Sequence, residues 1–257
     1  MCLIAWNWQP DSACPLLLVA NRDEFYARPS AALHAWMDAP ILAGRDLQAG
    51  GTWLGLGPGL RLAALTNHRD PQRNDPQAPS RGELVRAFLT DRASAADTLG
   101  ALQAQAARYN PFNLLLFDGQ HLLGFESRHA RIVQLPPGVG GVSNADFNTP
   151  WPKLRHLKQG LQTLLISPEP SDDALLALLH DRQIAPDAEL PDTGIGLPLE
   201  RALSAAFIAL PGYGTRACSV LRLRDARFEF LEQGFDASGC TGQHRFGGSA
   251  SGGYFAI

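Results

Sequence analysis

The sequence predicts an α+β fold of four layers, αββα, in which two antiparallel sheets pack face to face with helices outside. Two observations predict it. The elements read in blocks of strands, helices, strands, helices and strands, not as alternating strand–helix units. In addition, 45% of the 257 residues are hydrophobic, enough to bury the inner faces of both sheets. No stretch reads as a long linker and no repeat of fixed period occurs, so residues 1–257 are expected to form a single domain.

The chain opens as a hairpin. Residues Cys2 to Trp8 alternate and carry large side chains, Gln9 to Cys14 supply Pro and Asp turn chemistry, and Leu16 to Ala20 form a buried apolar run. This second strand delivers the chain to Asn21-Arg22-Asp23-Glu24, four polar residues directly after a core strand. A loop rich in Pro, Ala and Gly is expected up to Gly50-Gly51. Thr52 to Leu56 and Leu60 to Thr66 then read as a strand pair joined through Gly57-Pro58-Gly59. Ser80-Arg81-Gly82-Glu83 has the form of a capping box and introduces a helix through about Leu89. A second helix is expected from Ala95 to Arg108, followed by short strands at Phe112 to Phe117, His121 to Glu126 and Ala130 to Gln134. Thr149 as N-cap with Pro150 at the first helical position predicts a helix to Leu165, and Ser171-Asp172-Asp173 opens another to about Arg182. After a loop from Asp192 to Pro198, strands return at Ala205 to Leu210, Ala217 to Leu223 and Arg227 to Glu232. The Gly/Ser-rich residues 247–253 read as a flexible tail.

Several function classes are excluded early. The formal net charge is -3, the sequence pI is about 6.1, and the basic residues are mostly singletons, so neither a nucleic acid nor an anionic membrane surface is expected as a partner. The N-terminus lacks the basic and long apolar regions of a signal peptide, and no run approaches the roughly 20 apolar residues that span a bilayer. A soluble, cytoplasmic protein is therefore expected. Cys2, Cys14, Cys218 and Cys240 form no C-x-x-C or Cys/His metal spacing, and the histidines form no H-E-x-x-H, so no metal site is expected. Gly57-Pro58-Gly59 lacks phosphate-loop spacing.

Cys2 stands out by position. Loss of Met1, expected because cysteine is small, would leave one residue bearing both a thiol and a free α-amine. An α-amine has a reference pKa of about 7.7–8.0 and can serve as general base for the adjacent thiol. The alternative is a small buried apolar side chain. If the hairpin forms, its far strand brings Asn21, Arg22, Asp23 and Glu24 beside Cys2. Arg22 could lower the thiol pKa and hold a substrate carboxylate, while Asp23 or Glu24 could hold the α-amine. The competing reading is a solvated loop with local ion pairs. Asn67 and Asn144, both at strand ends, could donate to a developing oxyanion, or could simply be turn residues. Arg216 could anchor an anionic group, orient Cys2, or cover a sheet edge. Trp53 could wall a mobile glycine-rich lip, and His68, beside Asn67, is the histidine nearest these residues in sequence.

These segments together resemble a known family. Met1-Cys2-Leu3-Ile4, Asn21-Arg22-Asp23-Glu24 through Pro29, Gly50-Gly51-Thr52-Trp53-Leu54-Gly55 and Ala63-Ala64-Leu65-Thr66-Asn67 begin the set. Ser80-Arg81-Gly82-Glu83, Asn110-Pro111-Phe112-Asn113, Val142-Ser143-Asn144-Ala145, Thr149-Pro150-Trp151-Pro152-Lys153-Leu154 and Pro211 through Arg216 continue it in order along nearly the whole chain. The set resembles the NRDE (transport and Golgi organisation 2-like) family. It is also similar, more distantly, to the choloylglycine hydrolase and penicillin V acylase group. That likeness implies an N-terminal-nucleophile-hydrolase-like fold. It implies Cys2 as nucleophile, Asn67 and Asn144 as oxyanion and substrate-orienting groups, and Arg216 as the late arginine. Arg22 and Asp23 are adjacent here where those hydrolases have a wider gap, so whether Asp23 or Glu24 meets the amine stays open. With Asn21, Glu24, Trp53 and His68 lining a substrate site, the expected activity is hydrolysis of a linear amide bond in a small molecule. The family resemblance implies an alternative: a non-catalytic carrier of haem or acyl-CoA. No cofactor is expected, haem entering only as a transported ligand.

Overall fold

A computed structural model describes residues 2–167, 169–250, 252 and 254–256. Strands β1 (Cys2–Trp8) and β2 (Leu16–Phe25) open one sheet. Strands β3 (Ser30–Ala35), β4 (Leu42–Asp46), β5 (Leu54–Leu56), β6 (Leu62–Asn67), β7 (Phe112–Phe117), β8 (Leu122–Glu126) and β9 (Arg131–Gln134) form a second, each beside the next. The chain returns to the first sheet with β10 (Gly138–Val142), β11 (Ala209–Leu210), β12 (Tyr213–Arg224), β13 (Arg227–Asp236), β14 (Gly239–Ser249) and β15 (Tyr254–Ala256). Its order is β10-β1-β2-β12-β13-β14-β15, with β11 on β12, and every pairing among the described residues is antiparallel. Helices α1 (Gly82–Thr90) and α2 (Ala95–Gln103) follow β6. Helices α3 (Pro152–Leu164), α4 (Asp172–Leu179) and α5 (Leu197–Ala202) follow β10.

Burial on both faces of both sheets makes this a four-layer αββα sandwich. Ile4, Trp6, Trp8, Leu16 and Leu18 face Leu54, Leu62, Leu115 and Phe117 of the other sheet, and Trp8 meets Phe117 edge to face at 5.5 Å. The intervening Leu3, Ala5, Leu17 and Val19 pack under Leu154, Leu157, Leu161 and Leu175 of α3 and α4. On the far side, Val85, Phe88, Leu89 and Leu99 of α1 and α2 cover Ala63, Leu114 and Leu116. Each such large side chain contributes about 1.5–3 kcal/mol on burial. Strands covered on both faces need no polar alternation, which is why Leu16 to Ala20 is continuously apolar.

Several boundaries differ from expectation. Residues 30–46 hold β3 and β4, not a loop, because strand pairing at the sheet edge overrides their weak local signal. The third long helix begins at Pro152, not Pro150: proline disfavours α geometry in the residue before it, and Trp151 accordingly sits at φ -60, ψ 145 as N-cap. Ser80 makes no side-chain cap on α1, whose Glu83 instead accepts a hydrogen bond from Tyr109. Helix α2 ends at Gln103, where the chain tightens into a single turn at Ala106–Arg108, and α4 ends at Leu179. Only Ala209–Leu210 of the expected Ala205 to Leu210 strand pairs, and α5 begins within the expected loop at Leu197. Residues 247–249 belong to β14, while 251 and 253 of the expected tail lie outside the described residues. No helix among the described residues is long and apolar enough to cross a membrane.

Candidate active site at the start of the first strand

Strand β1 pairs with β2 in the register Cys2↔Arg22, Leu3↔Asn21, Ile4↔Ala20. The sequence places the polar quartet after the strand; the structure places it within β2, which runs on to Phe25. Alternation therefore separates its members. Arg22 and Glu24 share the inner face with Cys2, while Asn21 and Asp23 lie on the helix face. A cavity of about 650 Å³ opens where β1 begins, and Cys2, Arg22, Asp23, Glu24, Trp53, Asn67 and Arg216 line it. Asp23, one residue beyond the Cys2–Arg22 pair, reaches the cavity although its carboxylate is buried.

The remaining expected residues lie elsewhere. Asn21 is fully buried on the helix side, where its amide donates to Leu179 O at 2.8 Å and Ala206 O at 2.9 Å; it ties β2 to α4 and the segment after α5. His68 is outside the cavity, 3.7 Å from Asp146, and burial lowers its pKa. Asn144 is also fully buried behind the cavity wall. Its amide donates to the Asn67 carbonyl at 2.9 Å, so it supports the Asn67 backbone. The Asn67 side-chain amide makes no hydrogen bond among the described residues, which leaves its N–H groups available to a ligand.

Arg216 and Arg22 have different employment. A bulge between Thr215 and Ala217 makes Arg216 an extra residue in β12. Its guanidinium donates to the carbonyls of Phe25, Tyr26, Arg28 and Phe235 and to Ser30 Oγ, at 3.0–3.2 Å. It thereby fixes the turn between β2 and β3 that forms one cavity wall. Arg22 makes no hydrogen bond among the described residues, and its nearest carboxylate, Glu24, is 3.9 Å away. A half-buried guanidinium beside a thiol, with donors unused among the described residues, is arranged to receive an anion.

Electrostatics at Cys2 are dominated by burial, which pushes the thiol up to about 11, with the Asp23 carboxylate adding to the rise and Arg22 opposing it. At neutral pH the group is therefore a thiol that needs a base. Asp23 is also raised by burial, with the Lys153 ammonium the foremost opposing influence, and it accepts from Thr215 Oγ1 at 2.8 Å. Met1, whose removal would create the α-amine, lies outside the described residues.

Two further cavity residues escaped sequence reasoning. Arg81 reads as part of a capping box, yet its charge acts on Cys2 and Glu24 while Nη1 donates to Pro111 O at 3.1 Å. The close approach that places it needs glycines: a Cβ on Gly51 would lie 2.6 Å from the Gly82 carbonyl carbon. Glu232 is buried in the opposite wall and accepts the Leu33 N–H at 2.7 Å across the two sheets. Burial raises its carboxyl to about 7. An alternating strand such as β13 gives no signal for one buried acid among its outward-facing ones.

A four-layer sandwich of two antiparallel sheets between helices, with a cavity at the start of its first strand, is an N-terminal-nucleophile-hydrolase-like fold. The solved structure of the Caenorhabditis elegans N-acylethanolamine-hydrolyzing acid amidase ortholog shares this fold. Its TM-score is 0.50 over 86% of this chain and 92% of that one, at 10% sequence identity. The chain belongs to the Transport and Golgi organisation 2 family, whose model matches residues 1–237. It is 36% identical over 256 residues to the human Transport and Golgi organization protein 2 homolog, covering 91% of this chain and 92% of that protein. The mouse homolog is 35% identical over 246 residues, covering 86% and 88% of the two chains. The Drosophila melanogaster protein is 28% identical over 270 residues, covering 91% and 92%.

Proposed function

We propose that this chain hydrolyses an amide C–N bond in a small anionic molecule, with Cys2 as nucleophile after removal of Met1. The observation that carries the proposal is the placement of Cys2 in the wall of the cavity, directly paired with Arg22, whose guanidinium makes no hydrogen bond among the described residues and stands 3.9 Å from Glu24. A thiol raised to about 11 by burial requires a local base, and an α-amine on the same residue is within reach of it by construction. The amine takes the thiol proton as sulfur adds to the carbonyl carbon. The resulting oxyanion accepts from the side-chain amide of Asn67, which lines the same cavity as Cys2. The C–N bond then breaks as the ammonium returns its proton to the leaving nitrogen, and water cleaves the thioester to a carboxylic acid and regenerates the thiol. Arg22 and Arg81 favour a substrate carboxylate or phosphate beside the scissile bond.

The test is a panel of N-acyl amides, with and without a carboxylate near the amide, assayed with the wild type and Cys2→Ala. Turnover of anionic members that Cys2→Ala loses by at least about 10³-fold supports the proposal; equal turnover by the variant contradicts it. The carrier reading, for haem or acyl-CoA, draws on the same arginines, which suit propionates or phosphates. Among the described residues its aromatic wall consists of Trp53 and Phe235, because Trp6, Trp8 and Phe117 are packed into the core between the sheets. Saturable binding of either ligand by Cys2→Ala, in a chain without amidase activity, would favour that reading.

A further inference from the structure

Three strands across the first sheet from Cys2, the cavity wall holds an acid that the proposed reaction leaves unused. Glu232, on β13, is 4% exposed. The residues next to it on the same face, Phe230 and Leu221, belong to the core between the sheets, so a carboxyl here is costly unless a partner or ligand meets it. Oε1 accepts the Leu33 N–H at 2.7 Å. Among the described residues Oε2 accepts no hydrogen bond, and the carboxyl forms no ion pair. Burial raises the acid to about 7, which the Leu33 N–H and the charge of Arg22 only partly offset.

A second polar group stands beside it. Ser219, the direct partner of Glu232 on β12, is fully buried on the same face, and its Oγ has no hydrogen-bond partner among the described residues. Partners of this kind place their Cβ atoms roughly 4.5–5.5 Å apart, so one small group can touch both. Small residues keep the space in front of them open. Ala217 and Gly234 continue the floor on the first sheet, while Ala31, Ala32 and Gly44 form the facing wall on the second. A Cβ on Gly44 would stand 3.6 Å from Oε2 and 3.8 Å from Oε1, so a longer side chain there would cover the carboxyl.

The unused groups are a carboxyl oxygen and a hydroxyl oxygen, which together suit a small positively charged donor. A primary ammonium offers three N–H bonds to them, and a quaternary one offers none. Arg22, with its unused donors, lies on β2, two strands from β13 and roughly 10 Å away between strand axes.

We propose that Glu232 and Ser219 recognise a primary ammonium group, so that the cavity takes a small zwitterion whose carboxylate lies at Arg22 and whose amine lies at Glu232. This rests on the reading above for Arg22 as the partner of the anion, and it requires no bond to be cleaved.

Calorimetric titration of the wild type near pH 8, where the Glu232 carboxyl is largely ionised, tests it with ligands that contain no amide. The probes are γ-aminobutyrate, ε-aminohexanoate and ω-amino-octanoate, each against the plain carboxylate of the same length. At least one amino acid should bind about tenfold or more tightly than its plain counterpart. Glu232→Gln should remove that advantage and leave binding of the plain carboxylate unchanged, and Ser219→Ala should reduce the advantage about threefold. No advantage for any member, or an advantage that survives Glu232→Gln, would overturn the proposal. Should Glu232→Gln not fold, the N-trimethylated amino acids decide on the wild type: loss of the advantage supports the site, and equal binding overturns it. An amine advantage in a chain that cleaves no amide would sink the proposed activity and leave this site standing. Cleavage of anionic amides with no amine advantage would do the reverse.

Discussion

Cys2 and Arg22 are direct cross-strand partners at the open end of the first hairpin, so thiol and guanidinium stand on one face of the sheet, over one cavity. The guanidinium opposes the burial that raises the thiol to about 11. Arg22→Met should raise the thiol further and slow Cys2 alkylation near pH 8 by about tenfold, as the thiolate fraction falls with the lost positive charge. The same change should weaken binding of an anionic ligand by about 1.5–3 kcal/mol, the range for hydrogen bonds to charged groups. Arg22→Lys should restore the thiol effect better than the binding, since lysine keeps the charge and loses the fork. Alkylation kinetics and calorimetric titration separate the two.

Glu232 makes stability depend on pH in a defined direction. Its folded pKa, about 7, lies above the unfolded value, so the folded state favours the protonated acid. The contribution is fully present below about pH 4.3, the unfolded value, and is lost as pH rises through about 7. Glu232→Gln keeps an acceptor for the Leu33 N–H and cannot ionise. Thermal melts from about pH 5 to 9 should show the variant gaining on the wild type as pH rises, with the largest difference above about 7. A constant difference across the range would contradict the assignment.

The first hairpin and the outer helices are legible in the sequence because their signals are local: alternation in Cys2 to Trp8, the apolar run Leu16 to Ala20, and Ser171, which caps α4. The convergence of Cys2, Arg22, Asn67 and Arg216 follows from the register of that hairpin together with strand-end positions. What stayed hidden is set by long-range pairing. No local pattern shows that β2 continues through its polar quartet, and that continuation turns Asn21 to the helices and Arg22 to the cavity. The packing of α3 on β1 and β10 that buries Lys153 and the sheet-to-sheet bond from Glu232 to Leu33 join residues far apart in sequence. Trp151-Pro152 carried a usable signal for the start of α3, since proline restricts the residue before it.

Gly51 should tolerate no side chain. An added Cβ meets backbone atoms of Gly82 at 2.6–3.0 Å, which no rotamer change relieves. Gly51→Ala should destabilise the fold by about 1–3 kcal/mol in urea denaturation and shift Arg81 from the cavity rim. Gly50→Ala, where the added carbon meets nothing within 4 Å but φ is +75, should carry only the milder cost of a left-handed backbone.

Arg69 and Glu200 form a buried pair, and breaking it should cost more than removing it. Arg69→Met leaves the Glu200 carboxylate without its cation and should cost about 3–5 kcal/mol. The double variant Arg69→Met/Glu200→Gln should recover most of that loss. A double-mutant cycle by chemical denaturation checks both values, and additive single effects would show the pair to be uncoupled.

Cys2, freed at its amine, is the reacting group on which the proposed chemistry depends. Intact mass of the purified chain, before and after exposure to an acylating β-lactone, tests this most directly. The expected result is a mass lacking Met1 that gains a single acyl group, mapped to Cys2 and absent in Cys2→Ala. A chain that retains Met1, or one whose Cys2 stays unmodified while Cys14 or Cys240 is acylated, would contradict it.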